Sequence, residues 1–273
     1  MFTSIIDKTN IERRIDEFQN EPRDSLTAAE CINKLIYIFG DKFSFPSECM
    51  TYPKDNLFFR VRAIPENDNI MPFSTIKSIS DAWEPPAQFV RNQGRLNAPE
   101  QSILYCCPGD PFLAIKEARA EHSNFVAIMK YRAKKEIVVN VMGWFEKTTL
   151  PKDHMTQLFF SFLDKEFAVD VPYGEEYRYT LTRVIADTFY NNPYQDAWVY
   201  RSVQSKEKCN IAFPSGKSKE CLELVGVMVC DLSKSTQNSL SVNYVIDFDS
   251  DGNAQAHAIG SPDQKRIFPE IEK

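Results

Sequence analysis

Histidine is scarce in this chain: there are three, His122, His154 and His257, and none stands at metal-ligand spacing from another histidine or from a cysteine. A zinc centre needs several such donors converging on one point, so no metal is expected. The seven cysteines form no C-x-x-C pair, Cys106 and Cys107 are adjacent, and an odd number is a poor disulfide framework. They read as reduced thiols that mostly fill the core. No G-x-S-x-G, P-loop or G-x-G-x-x-G motif occurs, which removes the usual signals of serine hydrolases, NTPases and Rossmann dehydrogenases. Positive charge is also short: the formal net charge is −6 and the pI about 5.3. A broad basic face for nucleic acid is excluded, and any bound anion should be small. No apolar run approaches the length of a bilayer span, and residues 1–10 lack an apolar stretch behind a basic one. The expectation is a soluble, cytoplasmic protein with no membrane partner.

What is present is enough to fold. Hydrophobic residues make up 43% of the chain, with 20 phenylalanines, over a length suited to one main domain. Residues 1–50 read as a helical extension, with a charged helix over 10–20 and a second helix after Thr27. Thr27 and Glu30 have capping-box spacing, Ile32, Leu35, Ile36 and Phe39 repeat at helical intervals, and Gly40 supplies the stop. Residues 51–232 read as the main domain. Alternation over 57–62 predicts a strand with Phe58, Arg60 and Arg62 on one face. Strands are expected at 102–106, 125–131, 136–142, 197–203, 210–213 and 222–230. Helices are expected from Pro111, capped by Asp110, to about Glu121, and over 153–167 and 175–190. Strands interrupted by helices without regular βαβ alternation give an α+β fold with mixed, largely antiparallel sheets. Residues 233–273 read as a terminal β-hairpin and tail packed on the domain. The hairpin turns at Asp251-Gly252. A calcium loop starting at Asp247 is discounted, because its twelfth position is Ala258 rather than a glutamate.

Three sets of polar residues invite a functional reading. Arg60, Arg62 and Arg95 can converge on phosphate oxygens or lie as solvated surface arginines. Glu117 shares a helix face with Leu113 and Ala114, which places a carboxylate toward the core, there either paired for structure or functional. Ser202 alternates with Trp198 and Tyr200 on one strand face, and Asn210 opens the next strand. The two can bind a ligand or satisfy each other internally.

In order along the chain, Phe59-Arg60-Val61-Arg62, Gly94-Arg95-Leu96-Asn97, Ile103-Leu104-Tyr105, Ala114-Ile115-Lys116-Glu117, Tyr200-Arg201-Ser202-Val203 and Asn210-Ile211-Ala212-Phe213 resemble the RES domain. The resemblance spans residues 59–213 and implies an ADP-ribosyltransferase-like fold. It implies degradation of NAD+ by cleavage of the nicotinamide–ribose bond. ADP-ribose then passes to inorganic phosphate as co-substrate, as in the family's NAD+ phosphorylases, or to water. It carries Arg60, Glu117 and Ser202 over as catalytic residues, and Arg60, Arg95, Tyr105 and Asn210 as residues that bind NAD+. Arg62 competes with Arg60 for the family's first arginine. The chain departs from the family at Ala98-Pro99-Glu100, where many members have a glycine. Several members are toxins held by a cognate antitoxin, so the resemblance implies an antitoxin as a partner; a homo-oligomer is a separate expectation. The alternatives are an ADP-ribosyltransferase acting on a macromolecule and a non-catalytic nucleotide-binding domain.

Overall fold

The computed structural model describes residues 8–22, 25–143 and 153–272. Two amphipathic helices open the chain. In α1 (Lys8–Asn20) the buried residues are Ile11, Ile15 and Phe18, and in α2 (Ala28–Phe39) they are Cys31, Leu35, Ile38 and Phe39. The expected capping box is present, with the Glu30 carboxylate accepting from the Thr27 amide at 2.8 Å, and Gly40 ends the helix at φ 90°. The buried stripe differs from the expected one: Ile36 is exposed and Cys31 takes the inward position. The helix is apolar enough that two stripes satisfy the 3.6-residue period, and packing selects one.

The described residues include ten strands in one hydrogen-bonded sheet. In chain order they are β1 (Glu48–Tyr52), β2 (Leu57–Ala63), β3 (Ile103–Pro108), β4 (Phe125–Ala133), β5 (Ile137–Met142), β6 (Ala197–Arg201), β7 (Cys209–Pro214), β8 (Leu222–Thr236), β9 (Ser239–Phe248) and β10 (Ala254–Ala258). The spatial order is β1-β5-β6-β7-β3-β2-β4-β8-β9-β10. Among the described strands only β5 and β6 pair in parallel, and their crossover carries α4 (His154–Phe167) and α5 (Thr180–Phe189). The remaining helices are α3 (Pro111–Glu117), α6 (Lys217–Cys221) and α7 (Pro262–Ile267). None of the described helices is long and apolar enough to cross a membrane.

The sheet is curled on itself. Along a flat sheet, β1 and β2 would lie about 24 Å apart at roughly 4.8 Å per strand. Yet the rings of Tyr52 on β1 and Phe58 on β2 are 5.4 Å apart, and Phe58 also meets Phe213 of β7 at 5.9 Å. One core cluster therefore fills the inside of the curl, with Met129 and Tyr131 from one half and Leu104, Val199 and Ile211 from the other. Outside the first half, Phe59, Val61, Val126 and Ile128 pack against Leu113 and Ile115 of α3 and Ile267 of α7. Outside the second, Met142, Trp198 and Tyr200 pack against residues of α1, α2, α4 and α5. This is the mixed, mainly antiparallel α+β architecture that the sequence pattern predicts.

Some local details depart from expectation. Helix α3 stops at Glu117 rather than near Glu121, because Arg119 takes a left-handed φ of 51°. Strand β6 stops at Arg201, so Ser202 begins a turn instead of continuing the strand. The helical part of the extension ends at Phe39, and residues 48–50, expected within it, instead open strand β1 by pairing with β5; helices α6 and α7, five and six residues long, carry no expectation from the sequence. The β9–β10 hairpin closes as expected, with Gly252 at φ 81°. The Asp249 carboxylate accepts the amides of Asp251 at 3.0 Å and Asn253 at 2.8 Å, so it is engaged in the turn itself.

Candidate active site

The site lies where the two halves of the sheet meet. Strand β2 pairs with β4 along its whole length, but with β3 only at Phe58↔Pro108 and Phe59↔Cys107. Beyond those two pairs the strands part, and a cavity of about 270 Å³ opens in the fork. From β2 it is lined by Phe59, Arg60 and Val61, and from β3 by Tyr105, Cys106 and Cys107. Ala114, Glu117 and Ala118 form the wall on the side of α3, and Tyr200 and Asn210 close it from β6 and β7.

The short helix α3 is well fixed for its length. Asp110 caps it by accepting the Leu113 amide at 2.9 Å, Pro111 occupies the first turn, and Leu113, Ala114 and Ile115 are buried. Glu117 is the last helical residue and is half-buried at the cavity wall. One of its oxygens accepts the hydroxyl proton of Ser202. Ser202 is fully buried, and its oxygen accepts the amides of Gln204 at 3.0 Å and Ser205 at 3.1 Å. At the other end of the same loop, Lys208 forms an ion pair with Asp110. The 202–208 loop therefore grips α3 at both ends. Burial alone would raise the Asp110 carboxyl, but the bonds from Lys208 and the Leu113 amide more than offset it and hold it below the usual 3.8.

The three arginines have separate fates. Arg60 lines the cavity, is half-buried, and donates to the Trp83 carbonyl at 2.6 Å. Arg62 lies on the same strand face but outside the cavity. Its side chain is 46% exposed and stands 4.0 Å from Asp81. Position thus favours Arg60 over Arg62. Arg95, expected to hold NAD+, does not line the cavity. It is buried, with its guanidinium donating to the carbonyls of Phe167 and Val169 (2.8 Å for the latter) and lying 4.9 Å over the Tyr179 ring. The fork that matches a phosphate matches two converging carbonyls equally well, and a helix end supplies them here.

Tyr105 presents its ring to the cavity, while its hydroxyl donates to Asn97 Oδ1 at 3.0 Å and accepts the Leu96 amide at 3.1 Å. It thereby ties the Gly94–Asn97 loop to the cavity wall. A Cβ at position 94 would lie 2.3 Å from Asn97 Oδ1, so a larger residue there would displace the Asn97 amide that Tyr105 holds. In the departing segment just after it, Glu100 adopts a left-handed φ of 62°. Asn210, 4% exposed, pairs through its side chain with Cys107. Burial pushes the Tyr105 and Tyr200 phenols and both thiols up, and the Glu117 charge adds to the effect on Cys107 and Tyr200. At neutral pH these groups keep their protons and act as donors or surfaces, not as nucleophiles.

The structure thus gathers Arg60, Tyr105, Glu117 and Asn210 around one cavity, with Ser202 directly behind Glu117, and places Arg95 elsewhere. The sequence reading missed Tyr200 and the Cys106-Cys107 pair as lining. The alternation that puts Tyr200 on the face of Ser202 was the available signal for the first. Two other cavities, of about 680 and 290 Å³, lie around the 63–75 loop, and of the expected residues they include only Arg62. Their volumes are larger, and in the smaller one the Asp68 carboxylate accepts the Thr75 hydroxyl at 2.7 Å, but neither brings together Arg60, Tyr105, Glu117 and Asn210. Among the described residues no group of three or more His, Cys, Asp or Glu side chains could hold a metal. What the fork can do chemically is set one fixed negative charge against a positive charge that develops on a ligand, between aromatic walls and opposite an arginine.

No curated protein matches the chain. A family model described as RES domain matches residues 74–225, later at both ends than the 59–213 span of the sequence resemblance. It takes in Arg95, Tyr105, Glu117, Ser202 and Asn210, whereas Arg60 precedes it and owes its place at the site to geometry. With more than half of its length matched, the chain belongs to the RES domain family.

Proposed function

We propose that this protein cleaves the nicotinamide–ribose bond of NAD+ and transfers ADP-ribose to inorganic phosphate, or otherwise to water. The observation that carries this reading is the Glu117 carboxylate on the wall of the fork, fixed from behind by Ser202 and accompanied by Arg60. Loss of nicotinamide leaves an oxocarbenium-like ribose, and a preorganised carboxylate stabilises such a charge as it does in glycoside cleavage. Nicotinamide departs from a cationic state and needs no protonation, so a second acid is unnecessary.

In this reading Glu117 faces the ribose, and the N–H groups of Arg60 not directed at Trp83 serve phosphate oxygens. The Ser202 proton is already engaged by Glu117, so Ser202 acts as a positioning residue. Tyr105 and Tyr200 offer ring faces to the nicotinamide or a neighbouring ring. At about 270 Å³ the cavity falls just under the roughly 300–1,000 Å³ of sites for whole small ligands, which suits one end of a dinucleotide.

The test is labelled NAD+ with and without phosphate, using the wild type and Glu117→Gln. The reading expects an ADP-ribose phosphate product with phosphate, free ADP-ribose without it, and at least a hundred-fold loss of kcat in a folded Glu117→Gln. Label on protein or nucleic acid would indicate macromolecular ADP-ribosylation instead, and no turnover would leave a binding domain. A cellular role as a toxin restrained by an antitoxin follows from the same reading. Induced in a bacterial host, the wild type should deplete NAD+ and arrest growth, and Glu117→Gln should do neither. Equal arrest by both proteins would remove NAD+ consumption as the cause.

A further inference from the structure

The Asn210 amide is the one polar group of the fork whose orientation is set by a neighbour with no other described role. Asn210 and Cys107 are 4% and 3% exposed, and both line the cavity. The Cys107 thiol donates to Asn210 Oδ1 at 3.2 Å. Burial and the Glu117 charge push this thiol up, so its proton stays on and is available for that bond. An amide has an oxygen that only accepts and a nitrogen that only donates. With the oxygen turned to Cys107, the NH₂ group is the end left over. Among the described residues it has no hydrogen-bond partner, yet it is not sealed from solvent. The nitrogen therefore reaches the cavity space.

We propose that Cys107 is a positioning residue for substrate recognition: its thiol proton fixes the Asn210 amide so that the NH₂ donates into the fork, to an acceptor oxygen of the bound dinucleotide. This rests on the NAD+ reading above. Without the thiol the amide can turn over and present its oxygen to the same ligand atom, which repels instead of binding. The contact holds substrate in the ground state and the transition state alike, so its loss should appear in KM and leave kcat in place.

The experiment compares kcat and KM for NAD+ in wild type, Cys107→Ser, Cys107→Ala, Asn210→Ala and the double variant Cys107→Ala/Asn210→Ala. Cys107→Ser keeps a donor and should behave as wild type. Cys107→Ala should raise KM about three- to ten-fold, the worth of one ordinary hydrogen bond, and Asn210→Ala at least as much. The double variant should match Asn210→Ala alone, because Cys107 acts only through it. If Cys107→Ala does not fold, Cys107→Val, which fills the space without a donor, takes its place. Thionicotinamide adenine dinucleotide, whose sulfur is a poor acceptor, locates the oxygen. A Cys107 dependence that vanishes with the analogue assigns the contact to the carboxamide, and one that persists assigns it to ribose or pyrophosphate. Full additivity of the two single effects, a Cys107→Ser variant as impaired as Cys107→Ala, or an unchanged KM in Cys107→Ala overturns the proposal while the NAD+ reading stands. Absence of NAD+ turnover in the wild type overturns both.

Discussion

Replacing Arg95 by alanine should unfold the protein more readily and not selectively weaken its ligand. Arg95 is 8% exposed, and its guanidinium donates to the carbonyls of Phe167, the last residue of α4, and Val169, two residues on. It also lies over the rings of Tyr179 and Tyr200, at 4.9 and 5.6 Å. A hydrogen bond from a charged donor contributes about 1.5–3 kcal/mol, and a partly desolvated cation–π contact about 0.5–2 kcal/mol. These are not additive, since removing the arginine also removes its own cost of burial. A net loss of about 3 kcal/mol is the central expectation, which for a chain of this size lowers Tm by about 6–12 °C. Urea unfolding measured beside the melting curve should show a lower midpoint with an unchanged slope. Arg95→Lys should lose about half as much, because one ammonium cannot serve two separated carbonyls in the geometry of a fork. An Arg95→Ala protein of wild-type stability with a raised KM would refute this account and return Arg95 to the ligand.

Ser202→Ala should cost about 1–3 kcal/mol of stability, since the amides of Gln204 and Ser205 lose their acceptor, and should lower kcat about ten-fold as Glu117 loses its anchor. Denaturation curves and steady-state rates check the two effects separately, and a normal kcat would show that Glu117 needs no support. Asp110 has its carboxyl held down in the folded state, so its contribution to stability is present above the ordinary aspartate range and is lost as pH falls through the lower folded value. In Lys208→Met that carboxyl moves back up, so the variant should be less stable above about pH 4 and lose less as pH falls, the two profiles converging in acid. Profiles that already coincide above about pH 4 would show that the ion pair contributes nothing.

How far the sequence discloses this site depends on the range of each interaction. The capping box at Thr27 and Glu30, the alternation around Arg60 and the helix face of Glu117 are local patterns, and each is legible within a few residues. The pairing of Glu117 with Ser202 joins residues 85 positions apart, and only the family resemblance puts them in one set. Arg95 shows where local reading ends. Its loop is recognisable, but whether its fork meets a phosphate or two carbonyls depends on a helix end more than 70 residues away. The same holds for Cys107, which reads as a core filler until Asn210 is found beside it, 103 residues on. The early stop of α3 was hidden for another reason: Arg119 enters the left-handed region without the glycine that would announce it.

The brief pairing of β2 with β3 has a consequence for the energetics of admitting a ligand. Making room between two strands normally means rupturing the ladder that joins them, and each broken amide–carbonyl link must then be replaced. Here the ladder ends after Phe59 and Cys107, so the inner edges of both strands beyond that point never formed such links. A guest entering the fork displaces water and leaves every strand-to-strand bond of the sheet intact.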